Sequence, residues 1–114
     1  AQVNYPGLPG DPYHGLAQKY LPKGCSGVIA IEIPGGRERA AAFIDHLKLI
    51  RCEVHVADIC TCVLHPASST HRQLTDEQLV ACGIKPGMVR VSCGLENVDD
   101  IIADLAQALD AISE

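Results

Sequence analysis

A short alternating run near the end of the chain constrains the fold more than any other feature. In Met88-Val89-Arg90-Val91-Ser92, two valines flank a single arginine. Successive side chains of a strand point to opposite faces of a sheet. A strand in this register places Val89 and Val91 in a core and Arg90 on the other face. The run therefore predicts a sheet with one buried side and one open side.

Two kinds of hydrophobic periodicity alternate along the rest of the chain. Alternation with a period of two predicts strands at residues 25–33, 53–57, 61–64 and 88–93. Helical spacing predicts helices at residues 12–20, 37–50, 75–82 and from 97 onwards. Thr75 and Gln78 predict a capping box at the third helix, and Gly83 its C-terminal glycine. The predicted apolar stripe of the last helix consists of Val98, Ile101, Ile102, Leu105, Leu109 and Ile112.

The strands are short and do not alternate regularly with helices, so the predicted fold class is α+β. We expect a small, mostly antiparallel sheet of about four strands, with helices packed on one face. Residues 1–24, which are rich in Pro-Gly turns, are predicted to form an N-terminal arm with a short helix, and residues 25–114 the α+β domain. In the strand at 53–57, Val54 and Val56 should face the core, and His55 should share the open face with Arg90.

Composition argues against several classes of function. The net charge is −5 and the basic residues are scattered, which speaks against nucleic-acid binding. No run approaches the ~20 apolar residues of a membrane span. No basic-then-apolar leader opens the chain, and the six cysteines lie in apolar or periodic stretches, so we expect a reduced, cytoplasmic protein. A zinc site at Cys60 and Cys62 with His55 and His65 lacks the usual ligand spacing, and no metal site is predicted.

Arg90 and the loop at residues 65–71 are the polar features best suited to hold a ligand. An arginine on an open sheet face is either an ordinary solvated residue or a carboxylate receptor that donates two parallel N–H bonds. The loop hydroxyls either satisfy nearby backbone groups or line a site. The loop consists of His65, Pro66, Ala67, Ser68, Ser69, Thr70 and His71. A self-contained hydrolase is not expected, because no G-x-S-x-G elbow is present.

Six stretches of the sequence follow one known pattern in order: residues 3–9, 12–14, 17–24, 35–38, 65–74 and 89–96. Together they resemble the C-terminal portion of the Cys/Met-metabolism enzymes that use pyridoxal 5′-phosphate (PLP), and the likeness covers essentially the whole chain. The His-Pro-Ala-Ser-Ser-Thr-His and Arg-Val-Ser-Cys-Gly-Leu-Glu runs are its most specific parts. The Lys-Tyr-Leu-Pro-Lys-Gly stretch looks more like O-acetylhomoserine sulfhydrylases than like cystathionine synthases or lyases.

The resemblance implies a fold-type I enzyme in which this small domain closes over the substrate beside a large PLP-binding domain. The complete protein would be a homo-oligomer acting on an amino-acid substrate. The resemblance also implies that Arg90 binds the substrate α-carboxylate, with His55 and Val56 in a segment that lines the same pocket. That segment usually contains Ser- or Asn-Leu-Gly-Asp, so His55 and Ala57 depart from the family pattern.

The implied reaction is a γ-replacement that makes homocysteine or another methionine precursor, with PLP as the cofactor. The Schiff-base lysine should lie outside this chain, because none of its four lysines has the Ser/Thr-rich context of the family motif: Lys19, Lys23, Lys48 and Lys85. We therefore expect no catalytic residue here and no activity of the chain alone. The alternatives are the equivalent domain of a cystathionine γ-synthase or lyase, and a stand-alone, non-catalytic module that dimerises or binds a partner through the open sheet face.

Overall fold

A computed structural model describes residues 2–113, and within that range the chain forms five strands, four α-helices and one 3₁₀ turn. The strands are β1 (Gln2–Asn4), β2 (Val28–Glu32), β3 (Arg51–Cys52), β4 (Cys62–Leu64) and β5 (Met88–Ser92). The helices are α1 (His14–Tyr20), α2 (Gly36–Asp45), α3 (Asp76–Ala81) and α4 (Val98–Ala111), and the 3₁₀ turn is Pro66–Ser68. Among these described residues no helix is long and apolar enough to cross a membrane.

The five strands form one sheet in the order β1-β2-β5-β4-β3. Neighbouring strands are antiparallel except for β3 and β4, which are parallel. The predicted α+β class with a mostly antiparallel sheet is confirmed, with one strand more than expected. β5 lies at the centre, where Val89 pairs with Ile31 and Val91 pairs with Val63. These four side chains share one face of the sheet.

The hydrophobic core lies between that face and two helices. Val89 and Val91 are fully buried, as predicted, against Phe43 of α2 and Ala108 of α4. The predicted stripe of α4 is correct only in part. Ile101 is buried and Leu105, Leu109 and Ile112 pack against the core, whereas Val98 and Ile102 are 63% and 57% exposed.

Helix α2 ends five residues earlier than predicted, and its end has an identifiable cause. The Asp104 carboxylate of α4 accepts hydrogen bonds from the backbone N–H groups of Lys48, Leu49 and Ile50 at 2.8–2.9 Å. These N–H groups are therefore not available for a continuing helix. Ile50 is still buried in the core, but it lies outside the helix that was predicted to include it.

The strand predicted at residues 53–57 is wrong. Only Arg51 and Cys52 pair with β4, and the hydrogen bond from Glu53 N–H to Val63 O, 3.0 Å long, is the last along this edge. β4 has only three residues, so a longer partner strand would have nothing to pair with. The chain leaves the sheet after Glu53, and Val54 and Val56, which were predicted to be buried, are 58% and 51% exposed.

Two features at the ends of other elements agree with or extend the sequence patterns. The capping box of α3 is present: Thr75 Oγ1 accepts from the Gln78 N–H, and Gln78 Oε1 accepts from the Thr75 N–H. Gly83 follows with a φ of 80°.

In the N-terminal arm, β1 pairs with β2, which the turn-rich sequence did not predict. The division of the chain after residue 24 stays a prediction.

Candidate functional site

Arg90 lies on the face of the sheet opposite the helices, as predicted from its alternation with valines. It pairs with Ala30 of β2 and Leu64 of β4, and it is half-buried. Within residues 2–113 only one of its five N–H donors has a partner: Nη2 donates to the Val54 carbonyl at 2.9 Å. Its Nε is buried without an acceptor, and none of the ion pairs formed by these residues includes it. The guanidinium therefore retains donors for a ligand.

Residues 54–57 form an irregular segment that lies against this arginine. His55 is exposed, and its Nε2 lies 3.9 Å from a carboxylate oxygen of Glu53. Val56, the residue after His55, is also exposed. Ala57 has a φ of 57°, in the left-handed region, which costs an L-residue on the order of 1–2 kcal/mol. Ala57 replaces the glycine that is usual in the family pattern, so this departure falls where glycine would be unstrained.

The loop at residues 65–71 begins next to Leu64, the strand partner of Arg90, but its polar groups are occupied locally. His65 is buried, its Nε2 lies 2.7 Å from the Pro86 carbonyl, and its Nδ1 lies 2.6 Å from Ser68 Oγ. A carbonyl can only accept, so Nε2 carries the proton and Nδ1 accepts from the Ser68 hydroxyl.

The remaining polar groups of the loop behave in the same way. Ser69 Oγ donates to His65 O at 2.7 Å, Thr70 Oγ1 lies 2.9 Å from His71 Nδ1, and the His71 N–H donates to Pro66 O at 2.8 Å. Within residues 2–113 none of the loop's hydrogen bonds goes to Arg90. The structure thus favours the interpretation in which the loop hydroxyls satisfy nearby groups and fix the loop's shape.

Arg37 at the start of α2 holds this loop from outside, and its role was not identified from the sequence. Nη1 donates to the Ala67 carbonyl, and Nη2 to the Leu74 carbonyl at 3.2 Å. Nε and Nη2 also donate to one carboxylate oxygen of Asp76, at 3.2 and 2.8 Å. One guanidinium therefore joins α2, the loop and the first turn of α3. Its sequence signals are its position after Gly35-Gly36 and its place in the matched stretch at residues 35–38.

We expect Arg37→Ala to lower the free energy of unfolding of the chain by about 2 kcal/mol, since it removes charge-assisted bonds to two backbone carbonyls. Asp76→Asn should cost less than 1 kcal/mol, because the ion pair alone is partly exposed. Urea unfolding of both variants measures the difference. Equal losses in the two variants would mean that the ion pair, and not the carbonyl contacts, accounts for the effect.

A second polar contact joins the end of β5 to the start of β4. The Glu96 carboxylate accepts from the backbone N–H and the hydroxyl of Thr61 at 2.8–3.0 Å, and Thr61 Oγ1 accepts from the Gly94 N–H at 2.8 Å. The Thr61 N–H bond is the main reason that the pKa of Glu96 lies below its ordinary value. This arrangement fixes the path of the Cys-Gly-Leu-Glu run that follows Ser92.

The cysteines are free thiols, and burial raises the pKa of both Cys62 and Cys93. A raised pKa keeps a thiol protonated and weakens it as a nucleophile and as a metal ligand. Among the residues that the structure describes, no three His, Cys, Asp or Glu side chains are placed to share a metal ion.

A family model described as Cys/Met metabolism PLP-dependent enzyme matches residues 1–110. The chain belongs to this family. It is 48% identical over 109 residues to O-acetyl-L-homoserine sulfhydrylase 1 of Thermus thermophilus, covering 96% of this chain and 26% of that protein. It is 45% identical over 111 residues to an L-methionine gamma-lyase of Fusobacterium nucleatum subsp. polymorphum, covering 97% of this chain and 28% of that protein. The chain thus spans about a quarter of the length of these curated relatives.

A solved structure supports the same family. A crystal structure named O-acetylhomoserine (thiol)-lyase, from Campylobacter jejuni, matches with a TM-score of 0.85 and 40% identity, covering 96% of this chain and 26% of that one. That protein carries N′-pyridoxyl-lysine-5′-monophosphate. The family resemblance read from the motifs is confirmed, and so is the fold that it implied.

The lysines of this chain do not fit the role of a PLP lysine. Lys85 Nζ lies 2.8 Å from a carboxylate oxygen of Glu32, and Lys19 Nζ lies 5.1 Å from the centre of the Tyr20 ring. Lys23 and Lys48 are exposed outside the sheet. The family uses PLP, and the lysine that holds it is not in this chain.

Proposed function

We propose that this chain is the substrate-side domain of a PLP-dependent O-acetylhomoserine sulfhydrylase-like transferase, and that Arg90 binds the α-carboxylate of the amino-acid substrate. The reaction would be a γ-replacement that forms homocysteine or a related methionine precursor. PLP, when bound by the rest of the protein, would supply the chemistry at the substrate carbons. The part played by this chain would be to bind the carboxylate and so orient the substrate.

The state of Arg90 is the observation that carries this proposal. It is a half-buried guanidinium with one backbone contact, a buried Nε that has no acceptor, and no carboxylate partner among residues 2–113. A buried donor without an acceptor costs about 1–3 kcal/mol. A substrate carboxylate would relieve that cost and could form two parallel bonds with the guanidinium. Since β5 is the central strand, its backbone would hold Arg90 rigidly.

The choice of substrate rests on the relatives rather than on Arg90. Relatives named O-acetyl-L-homoserine sulfhydrylase reach 46–48% identity, and relatives named L-methionine gamma-lyase reach 45%. O-acetyl-L-homoserine and L-methionine are both α-amino acids, so a carboxylate receptor would serve either reaction. The Lys-Tyr-Leu-Pro-Lys-Gly stretch at residues 19–24 favours the sulfhydrylase.

In the complete protein, Arg90→Ala should raise the KM for O-acetylhomoserine roughly 10- to 100-fold, because a charge-assisted contact worth about 1.5–3 kcal/mol is lost. Steady-state sulfide-dependent formation of homocysteine gives both KM and kcat. Arg51→Ala, at an exposed arginine of β3 in the same sheet, is the matched control and should leave KM unchanged. An Arg90→Ala enzyme with the wild-type KM and kcat would remove Arg90 from substrate binding.

A further inference from the structure

Ser92 lies two residues after Arg90 on β5, and both side chains point to the open face of the sheet. Ser92 is only 2% exposed, and its Oγ accepts a hydrogen bond from the Ala57 N–H at 3.2 Å. Arg90 donates to the Val54 carbonyl. β5 therefore contacts both ends of the 54–57 segment. The Arg90 side chain contacts Val54, and the Ser92 side chain contacts Ala57.

The contact with Ser92 falls on the strained residue of the segment. Ala57 is in the left-handed region with a φ of 57°, a conformation that an alanine keeps only where its surroundings hold it there. Without the Ser92 hydroxyl, Ala57 can relax towards ordinary backbone angles, and the residues before it must then change direction. Val54, whose carbonyl orients the guanidinium of Arg90, is three residues away. A displacement of Ala57 would therefore move the Val54 carbonyl that accepts a hydrogen bond from Arg90.

We propose that Ser92 is a positioning residue for substrate binding. Its hydroxyl holds Ala57, the 54–57 segment holds the Val54 carbonyl in place, and that carbonyl orients Arg90 towards the α-carboxylate of an amino acid. This inference rests on the proposed role of Arg90 and adds a residue to it. It also gives a physical reason for a hydroxyl side chain two positions after the arginine in this strand.

The first test compares Ser92→Ala with Ser92→Thr in the complete protein. Loss of one N–H···O bond corresponds to roughly a three- to tenfold change in an equilibrium. We expect Ser92→Ala to raise the KM for O-acetylhomoserine by that factor with kcat nearly unchanged. Ser92→Thr should restore the wild-type KM, because it keeps the hydroxyl and its extra methyl can enter the adjoining cavity of about 260 Å³ that Ser92 lines.

Hydrogen exchange of the same variants provides a readout that does not depend on activity. The amides of residues 54–57 should exchange faster in Ser92→Ala than in the wild type, and at the wild-type rate in Ser92→Thr. If Ser92→Ala does not fold, Ser92→Cys keeps the side chain's size with a weaker acceptor and should show the same changes in KM and exchange. A wild-type KM together with wild-type exchange in Ser92→Ala, or in Ser92→Cys if the alanine variant does not fold, would overturn the role of Ser92.

A double-mutant cycle separates this inference from the proposed function. If Ser92 acts through Arg90, Ser92→Ala should not raise KM further in an Arg90→Ala background. Additive effects of the two substitutions would show that Ser92 acts by another route, and would overturn the inference alone. A wild-type KM in Arg90→Ala itself would overturn the proposed function and the positioning role together.

Discussion

The isolated 114-residue chain should form no homocysteine from O-acetylhomoserine and sulfide, whether or not PLP is added. The reason is that, in the proposed function, the chain would supply only half of a substrate site. In its proposed role Arg90 would hold a carboxylate, but the cofactor's lysine is absent, and the lysines present are exposed or engaged elsewhere, as in the pair of Lys85 with Glu32. A family relationship shown over a quarter of the relatives' length does not transfer their activity to this chain.

The measurement is homocysteine formation by the purified chain against a no-protein blank, with the complete protein at equal molar concentration as the positive control. Absorbance in the range of a PLP–lysine adduct gives an independent check, since we expect the chain to retain no cofactor after dialysis. Homocysteine above the blank would contradict the prediction. It would mean that another residue of this chain replaces the missing lysine.

Asp104→Ala should lower the free energy of unfolding of the chain by roughly 3 kcal/mol. Asp104 is 6% exposed and accepts from the N–H groups of Lys48, Leu49 and Ile50, as well as from Gln107. Bonds to a charged group are stronger than neutral ones, and the substitution leaves three adjacent N–H donors without their acceptor. The connection from α2 to β3 would lose the contact that sets its path.

Urea unfolding at pH 7 measures this effect. Asp110→Ala on the same helix is the matched control, because Asp110 is exposed and lies near the C-terminus of α4, where a negative charge is mildly unfavourable. That control should be neutral or slightly stabilising. A loss below 1 kcal/mol in Asp104→Ala would contradict the prediction and would mean that water replaces the carboxylate at little cost.

The same carboxylate makes stability depend on pH in a defined direction. Burial alone would raise the pKa of Asp104, but the backbone N–H bonds together bring it below the ordinary value of 3.8. A carboxyl group with a lowered pKa in the folded state stabilises the protein above the pKa of the unfolded state, and this contribution is lost as the pH falls through the lower, folded value. The stability difference between wild type and Asp104→Asn should therefore shrink below about pH 4. A constant difference down to pH 2 would assign the effect to packing.

The fold was predictable where its cause is local. The alternation around Arg90 gave the strand and its two faces correctly, and Thr75 with Gln78 gave the start of α3. Errors occur where tertiary contacts override the pattern. The helical spacing of residues 37–50 continues to Ile50. However, the carboxylate of Asp104, more than 50 residues away along the chain, accepts hydrogen bonds from the backbone N–H groups of the predicted last turn.

The wrong strand at residues 53–57 has a similar cause. Val54, His55 and Val56 alternate like a strand, but whether they form one depends on the length of the neighbouring strand β4, which a single segment does not reveal. The pairing of β1 with β2 was missed for the same reason. A strand of three residues carries almost no periodic signal, and its partner is almost 30 residues away.

The candidate site was predictable only in part. The alternation placed Arg90 on the open face of the sheet correctly, but the residue alone left open a solvated arginine and a carboxylate receptor, and the carboxylate-binding role was implied by the family resemblance. Ser92 and Arg37 lie in stretches that match the family pattern, but their contacts were not predictable, because folding brings the partner backbone groups to them: the Ala57 N–H and the Ala67 carbonyl. Side chains that act on backbone atoms are hard to recognise from sequence, since every residue supplies those atoms.

The central place of β5 in the sheet has a consequence for the order in which the chain can fold. β1 and β2 form one half of the sheet and β3 and β4 the other, and among the described strands only β5 joins them. Yet β5 is the last of these five strands along residues 2–113, so a ribosome must complete residues 88–92 before the two halves can meet. Because these pairings are distant in sequence, they should form slowly. A nascent chain stalled before Met88 should remain accessible to proteases, whereas one that has also exposed α4 should become resistant.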